Sequence, residues 1–309
     1  MHLTRGARLA LRLATALGLA VLYAPLLVVV VNSFNASRSF AWPPTGFSLR
    51  WWSAAWREAG LRDALWTSVR AGLGATAVAL VLGTTAAFAA TRYRFFGRQT
   101  VSFLLILPIA LPGIVTGIAL NAAFRTVLVP LGIGFGMFTV VVGHATFCIV
   151  VVFNNVSARL RRLPSSSEDA SADLGAHTFQ TFWYVTLPAV RGALLAGALL
   201  AFALSFDEIV VTTFTAGPGT RTLPLWIYDN LARPNQGPVV DVVASALIVL
   251  SALPVYLAHR MSEEADPALP GRRRSRRGRG VVAETVAGGN GDGPSRGPAG
   301  GHLVDSGQV

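Results

Sequence analysis

The sequence predicts an all-α integral membrane protein with six transmembrane helices. Three observations carry that prediction. The 309 residues are 52% hydrophobic and only 13% charged, with a mean hydropathy of +0.53, whereas soluble domains hold about 25% charged residues. Six apolar stretches are each long enough for a bilayer, which needs about 20 residues. Arg also collects in the segments that a six-span topology puts on one side of the membrane.

The stretches follow in order. Residues 13–31 form the first, with Pro25 as a tolerated kink. Residues 68–90 are rich in Ala and Gly, and Gly72, Gly74 and Gly83 read as points of close helix packing. Residues 101–124 make the third span, interrupted by Pro108 and Pro112. Residues 136–156, 189–212 and 239–258 complete the set. A cleaved leader is not expected for the first stretch, because five spans follow and no small-residue cleavage site stands out.

With both termini in the cytoplasm, 18 of the 26 Arg fall inside, 8 of them in the tail from Arg260 onward. Without the tail the split is 10 to 8, but the first two inner segments are clear: Arg5, Arg8 and Arg12, then Arg92, Arg94 and Arg98. The organisation expected is a first helix and external loop (1–63), a five-helix core (64–260) and a disordered Arg- and Gly-rich cytoplasmic tail (261–309). The run 272–279 has chemistry suited to nucleic acid or anionic lipid. A solvated tail is preferred, the lipid bilayer is the expected partner, and no nucleic acid is.

All 26 basic residues are Arg. Without Lys the chain has no phosphate loop of the Walker type, no Schiff base and no Ser-Lys dyad. A single Cys, Cys148, excludes an internal disulfide and any multi-Cys zinc site. His144 and His177 have no metal-ligand spacing to another His, so neither a metal nor a cofactor is expected. No catalytic constellation is present, and the chain is not read as an enzyme.

The segment 157–188 then faces the cytoplasm. Pro164, a Ser run, Glu168 and Asp169 form a helix start, with hydroxyl caps and carboxylates at the positive end of the dipole. Residues 167–173 give about two turns, which Gly175 ends. A second short helix is expected near 178–185, carrying Phe179, Phe182 and Trp183. Leu187-Pro188 opens the fifth span. A short surface helix with small residues on one side can slot into a groove on a partner.

The spacing Asp169-Ala170-Ser171, three residues, Gly175, nine residues, then Val185-Thr186-Leu187-Pro188 resembles a known signature. Permease subunits of binding-protein-dependent ABC importers carry Glu-Ala-Ala, Gly and Ile-x-Leu-Pro at these distances. Ala170, Gly175, Leu187 and Pro188 match, and Asp173-Leu174 is also typical; Asp for Glu, Ser for Ala and Val for Ile depart from it. The resemblance covers nearly all of residues 1–260 and is strongest to the spermidine/putrescine-type permeases. It is carried by Ser205-Phe206-Asp207-Glu208-Ile209-Val210-Val211, Gly217-Pro218, Thr222-Leu223-Pro224 and Ile227-Tyr228, and upstream by Leu111-Pro112-Gly113-Ile114-Val115 and Trp51-Trp52.

The resemblance implies a type I importer permease fold. It also implies two ATPase subunits, an extracytoplasmic substrate-binding protein and a second permease subunit, with a distinct partner preferred over a homodimer. Glu168, Asp169, Ala170, Ser171, Asp173, Gly175, Leu187 and Pro188 would couple the pore to the ATPase.

Asp207 and Glu208 lie about 28–30 Å along a helix from Pro188, near its outer end. Ionisable groups at a span edge are costly and point to function or pairing, for example with Arg221. A cation pathway needs carboxylates. Adjacent helical residues point about 100° apart, so one is expected to face the pore, and Asp207 is preferred. Tyr228 and Trp226 are candidates to line the outer vestibule, although an interfacial belt accounts for both, as for Trp51, Trp52 and Trp56, more simply. The acids favour a cation over an oxyanion. Fe(III) or another small solute is the rival cargo. A secondary transporter is the rival machine, but it should show inverted repeats, and none is seen.

Overall fold

The first apolar stretch becomes one long helix, α1 (Arg5–Asn32), with Thr4 Oγ1 accepting from Ala7 N at its start and Pro25 within it. We describe a computed structural model covering residues 4–38, 43–164, 166–231, 233 and 236–264, with side-chain surroundings described only in part beyond residue 250. The chain divides at 267/268, and the unit 268–309 lies wholly outside the described residues, as does most of the expected tail.

Eleven further α-helices follow in order among the described residues. They include α2 (Arg50–Arg57), α3 (Ala59–Arg92), α4 (Arg98–Ala110), α5 (Gly113–Val127) and α6 (Met137–Arg162). The chain continues as α7 (Ser166–Asp173), α8 (Thr178–Thr181), α9 (Leu187–Phe206), α10 (Val210–Thr215), α11 (Leu223–Leu231) and α12 (Gly237–Glu264). No strand occurs among the described residues, only an isolated bridge between Asn35 and Phe47. Among the described residues, five helical stretches are long and apolar enough to cross a membrane, and α12 is apolar over Gly237–Leu250.

Several boundaries differ from the sequence expectation. The second span begins at Ala59, so the division at 63/64 falls inside α3. The third is two helices, not one. Leu111 is extended (ψ 146°) before Pro112, because a residue preceding proline avoids the helical region. The loop 157–188 is shorter than expected, since α6 runs to Arg162. The second short helix joins the fifth span instead of standing apart: α8 passes through a π-helical turn (Phe182–Thr186) directly into α9. The fifth span in turn stops at Phe206 and resumes at Val210.

The core lies where α3, α6 and α9 pack together. Small residues permit this: Ala75, Ala79 and Ala87 of α3 are fully buried against α6 residues such as Val152 and Val156. A Cβ on Gly83 would stand 2.9 Å from Ile149 O and 2.9 Å from Val152 Cβ, so the two backbones meet there. Polar ties add direction. Cys148 Sγ donates to Ala201 O (3.3 Å), and Arg159 Nε donates to Ala189 O (3.1 Å). A second cluster joins α2, the start of α3, α11 and α12 around Trp226, Leu223 and Val240. By contrast α1 touches chiefly α12, and the apolar side chains along most of it are exposed.

Candidate functional site

Two regions gather the candidate residues, at opposite ends of the fifth span. At the first end, α7 leads to a turn closed by Gly175 at φ +85°, a left-handed conformation that costs glycine little. Asp169, Ala170, Asp173 and Gly175 are exposed. Leu174, Phe179, Trp183 and Tyr184 are also exposed, and the Phe179 and Trp183 rings stack at 6.2 Å. These exposed apolar side chains form a patch around a short acidic helix.

Glu168 and Ser171 do not share that outlook. Glu168 Oε2 pairs with Arg92 Nε at 2.9 Å, and its Oε1 accepts from Arg92 Nε (3.2 Å) and from Thr186 Oγ1 (2.9 Å). The hydroxyls of Ser171 and Thr181 lie 3.1 Å apart. Phe182 packs edge-on against Phe88 of α3 (5.3 Å). Glu168 therefore ties α7 to the end of α3 and to the π-turn that begins the fifth span. The sequence marked Arg92 only as a charge on the inner side. Its partner is 76 residues away, and nothing local announces the pair. Leu187 and Pro188 follow the π-turn directly at the start of α9.

At the other end, the helix breaks over Asp207–Ile209. Asp207 sits at φ −95°, ψ 5°, and Glu208 turns its carboxylate onto the next helix, accepting from Val211 N at 2.8 Å. A side chain that caps a new helix competes with continuation of the old one. The two acids thus lie in a break, not on a helix, and the 100° argument for choosing between them lapses. Their roles divide differently: Glu208 is a cap, while Asp207 is exposed. Arg221 pairs with Asp229 (3.2 Å), not with either acid.

Asp207 lines a cleft of about 350 Å³ with Ile209, Pro224, Ile227, Tyr228, Leu231 and Leu247. Two of the three pathway candidates, Asp207 and Tyr228, thus share one apolar-walled cleft, furnished with a carboxylate and a phenol, while Glu208 does not line it. A primary or secondary ammonium group fits that pairing, through charge and through the face of the aromatic ring.

Beyond the break, α10 is held by three side chains from two elements, α5 and α6. Asn121 Nδ2 donates to Phe214 O (2.6 Å) and Thr139 Oγ1 to Thr215 O (2.7 Å), while His144 reaches Thr212. Asp241, a buried acid in α12, is a third carboxylate near the spans that the sequence reading passed over. Its signal was available, as a charge inside the stretch 239–258. No group of three or more metal-ligating side chains occurs among the described residues. Trp51 Nε1 donates to Asn35 O (3.0 Å), and Trp52 stacks on Phe34 (5.4 Å), so both serve the loop after α1, whereas Trp56 is exposed.

Comparison with known proteins places this arrangement. Residues 79–264 match the family described as "binding-protein-dependent transport system inner membrane component". The chain is 34% identical over 267 residues to the putrescine transport system permease protein PotI of Escherichia coli K12, covering 85% of this chain and 94% of the relative. It is 34% identical over 245 residues to the spermidine/putrescine transport system permease protein PotC of the same organism, covering 79% and 90%. The fold is shared with a chain of a bacterial ABC transporter that imports the acidic polysaccharide alginate, at TM-score 0.62 and 17% identity, over 85% of this chain and 99% of that one. The protein is a multi-pass member of the family of binding-protein-dependent transport system inner membrane components.

Proposed function

We propose that this chain forms one half of the pore of an ATP-driven importer for polyamines. A separate ATPase pair docks on the exposed part of α7 and the aromatic group beside it, and both termini lie in the cytoplasm. A distinct second permease completes the pore, and an extracytoplasmic binding protein delivers the cargo. The observation that carries the polyamine reading is the cleft where Asp207 and Tyr228 meet. Polyamines are flexible chains with an ammonium group at each end, so an apolar-walled cleft with one carboxylate suits their passage one charge at a time. The names of the putrescine and spermidine/putrescine relatives support the same class.

The absence of Lys leaves the chain without a phosphate loop of its own, which supports an external source of energy. The test is uptake of labelled putrescine into vesicles holding the complete complex. Asp207→Asn should lower uptake while the subunits still co-purify. Unchanged uptake would remove the cation-contact role. Competition by Fe(III) but not by spermidine would replace the cargo, and uptake without ATP would point to a secondary transporter.

A further inference from the structure

His144 occupies the point where the two pieces of the fifth span meet. It projects from α6, is fully buried, and uses both ring nitrogens. Nδ1 lies 2.7 Å from Ser205 Oγ, two residues before Asp207, and Nε2 lies 2.8 Å from Thr212 Oγ1, in α10. The proton count fixes the roles. Thr212 has one hydroxyl hydrogen and donates it to Glu208 O at 2.8 Å. Its oxygen is then the acceptor toward His144, so Nε2 carries the ring proton and Nδ1 accepts from the Ser205 hydroxyl. One side chain thereby spans the break, through a hydroxyl on either side of it.

We propose that His144 is a positioning residue for cation passage: by bridging α9 and α10 it fixes the break and holds Asp207 toward the cleft that contains Tyr228. This rests on the reading of Asp207 given above. The span does not depend on His144 alone, because Cys148 still bonds Ala201 of α9, and Thr139 and Asn121 still bond the far end of α10. Removing the imidazole should therefore loosen the break and leave the helices packed.

The experiment uses the complete complex in vesicles with labelled putrescine. His144→Ala should raise KM by about tenfold, as expected from losing roughly one net hydrogen bond's worth of ordering. His144→Gln, whose amide can donate to Thr212 and accept from Ser205, should recover most of it. The two changes should be non-additive with Asp207→Asn, since a misplaced carboxylate and an absent one are equivalent. Additivity, or an unchanged KM in His144→Ala, overturns the proposal.

A second measurement separates this inference from the reading on which it rests. Spin labels at Leu204→Cys and Thr213→Cys report the α9–α10 distance directly. A distribution unaltered by His144→Ala overturns the positioning role whatever uptake does. If instead Asp207→Asn leaves uptake unchanged while the distribution broadens, the cation-contact reading fails and the bridge stands as a positioning device alone.

Discussion

Breaking the Arg92–Glu168 pair should disconnect ATP hydrolysis from transport. The pair has a short contact (2.9 Å), a second hydrogen bond (3.2 Å) and a third partner in Thr186 (2.9 Å). Its side chains are 17% and 19% exposed. An exposed ion pair is worth about 0–1 kcal/mol, and removing one partner of a fully buried pair costs about 3–5 kcal/mol. At this exposure Glu168→Ala should cost about 2 kcal/mol, a roughly 30-fold shift toward the detached state of α7. Glu168→Gln should cost less, because its amide oxygen can still accept from Thr186 and Arg92.

The assay is the ratio of putrescine molecules taken up to ATP hydrolysed in vesicles holding the complete complex. Glu168→Ala should lower that ratio while hydrolysis continues, since the proposed docking surface at Asp169, Ala170 and Asp173 is untouched. Exchanging the charges, Arg92→Glu with Glu168→Arg, should restore part of it. A ratio unchanged in Glu168→Ala, with the complex intact, would refute the tie between α7 and α3. So would Arg92→Ala and Glu168→Ala effects that simply add in the double variant, because residues in contact should couple.

Further outcomes follow from single positions. Gly83→Val should cost about 1–3 kcal/mol by forcing α3 from α6, read as a lower thermal midpoint of the purified complex. Gly175→Val should cost about 1–2 kcal/mol, because a β-branched residue resists φ +85°, and Gly175→Asn should cost less; ATPase co-purification measures both. Glu208→Ala should cost about 0.5–2 kcal/mol by leaving Val211 N without its cap, whereas Glu208→Gln should behave nearly as the native chain in putrescine uptake.

The span pattern, the acidic start of α7 and its end at Gly175 were all legible in the sequence, whereas the start expected at Leu187-Pro188 lies inside a helical stretch continuous from Thr178. Each depends on local physics: apolar run length, capping, and the backbone preferences of Gly and Pro. Even the split of the third span had a local cause in Pro112. Three features had no local signature. Glu168 faces Arg92 across 76 residues, and His144 reaches Ser205 and Thr212 across 61 and 68. Asp207 and Tyr228 share a cleft only because α11 folds back beside the break. The sequence by itself determined which stretches leave water and where the chain must turn, since burial of apolar length and backbone torsion are decided within a few residues. Only the tertiary structure decided that Glu208 caps a helix while Asp207 faces the cleft, because a carboxylate's role depends on which donors, cations and walls the packing of distant helices brings to it.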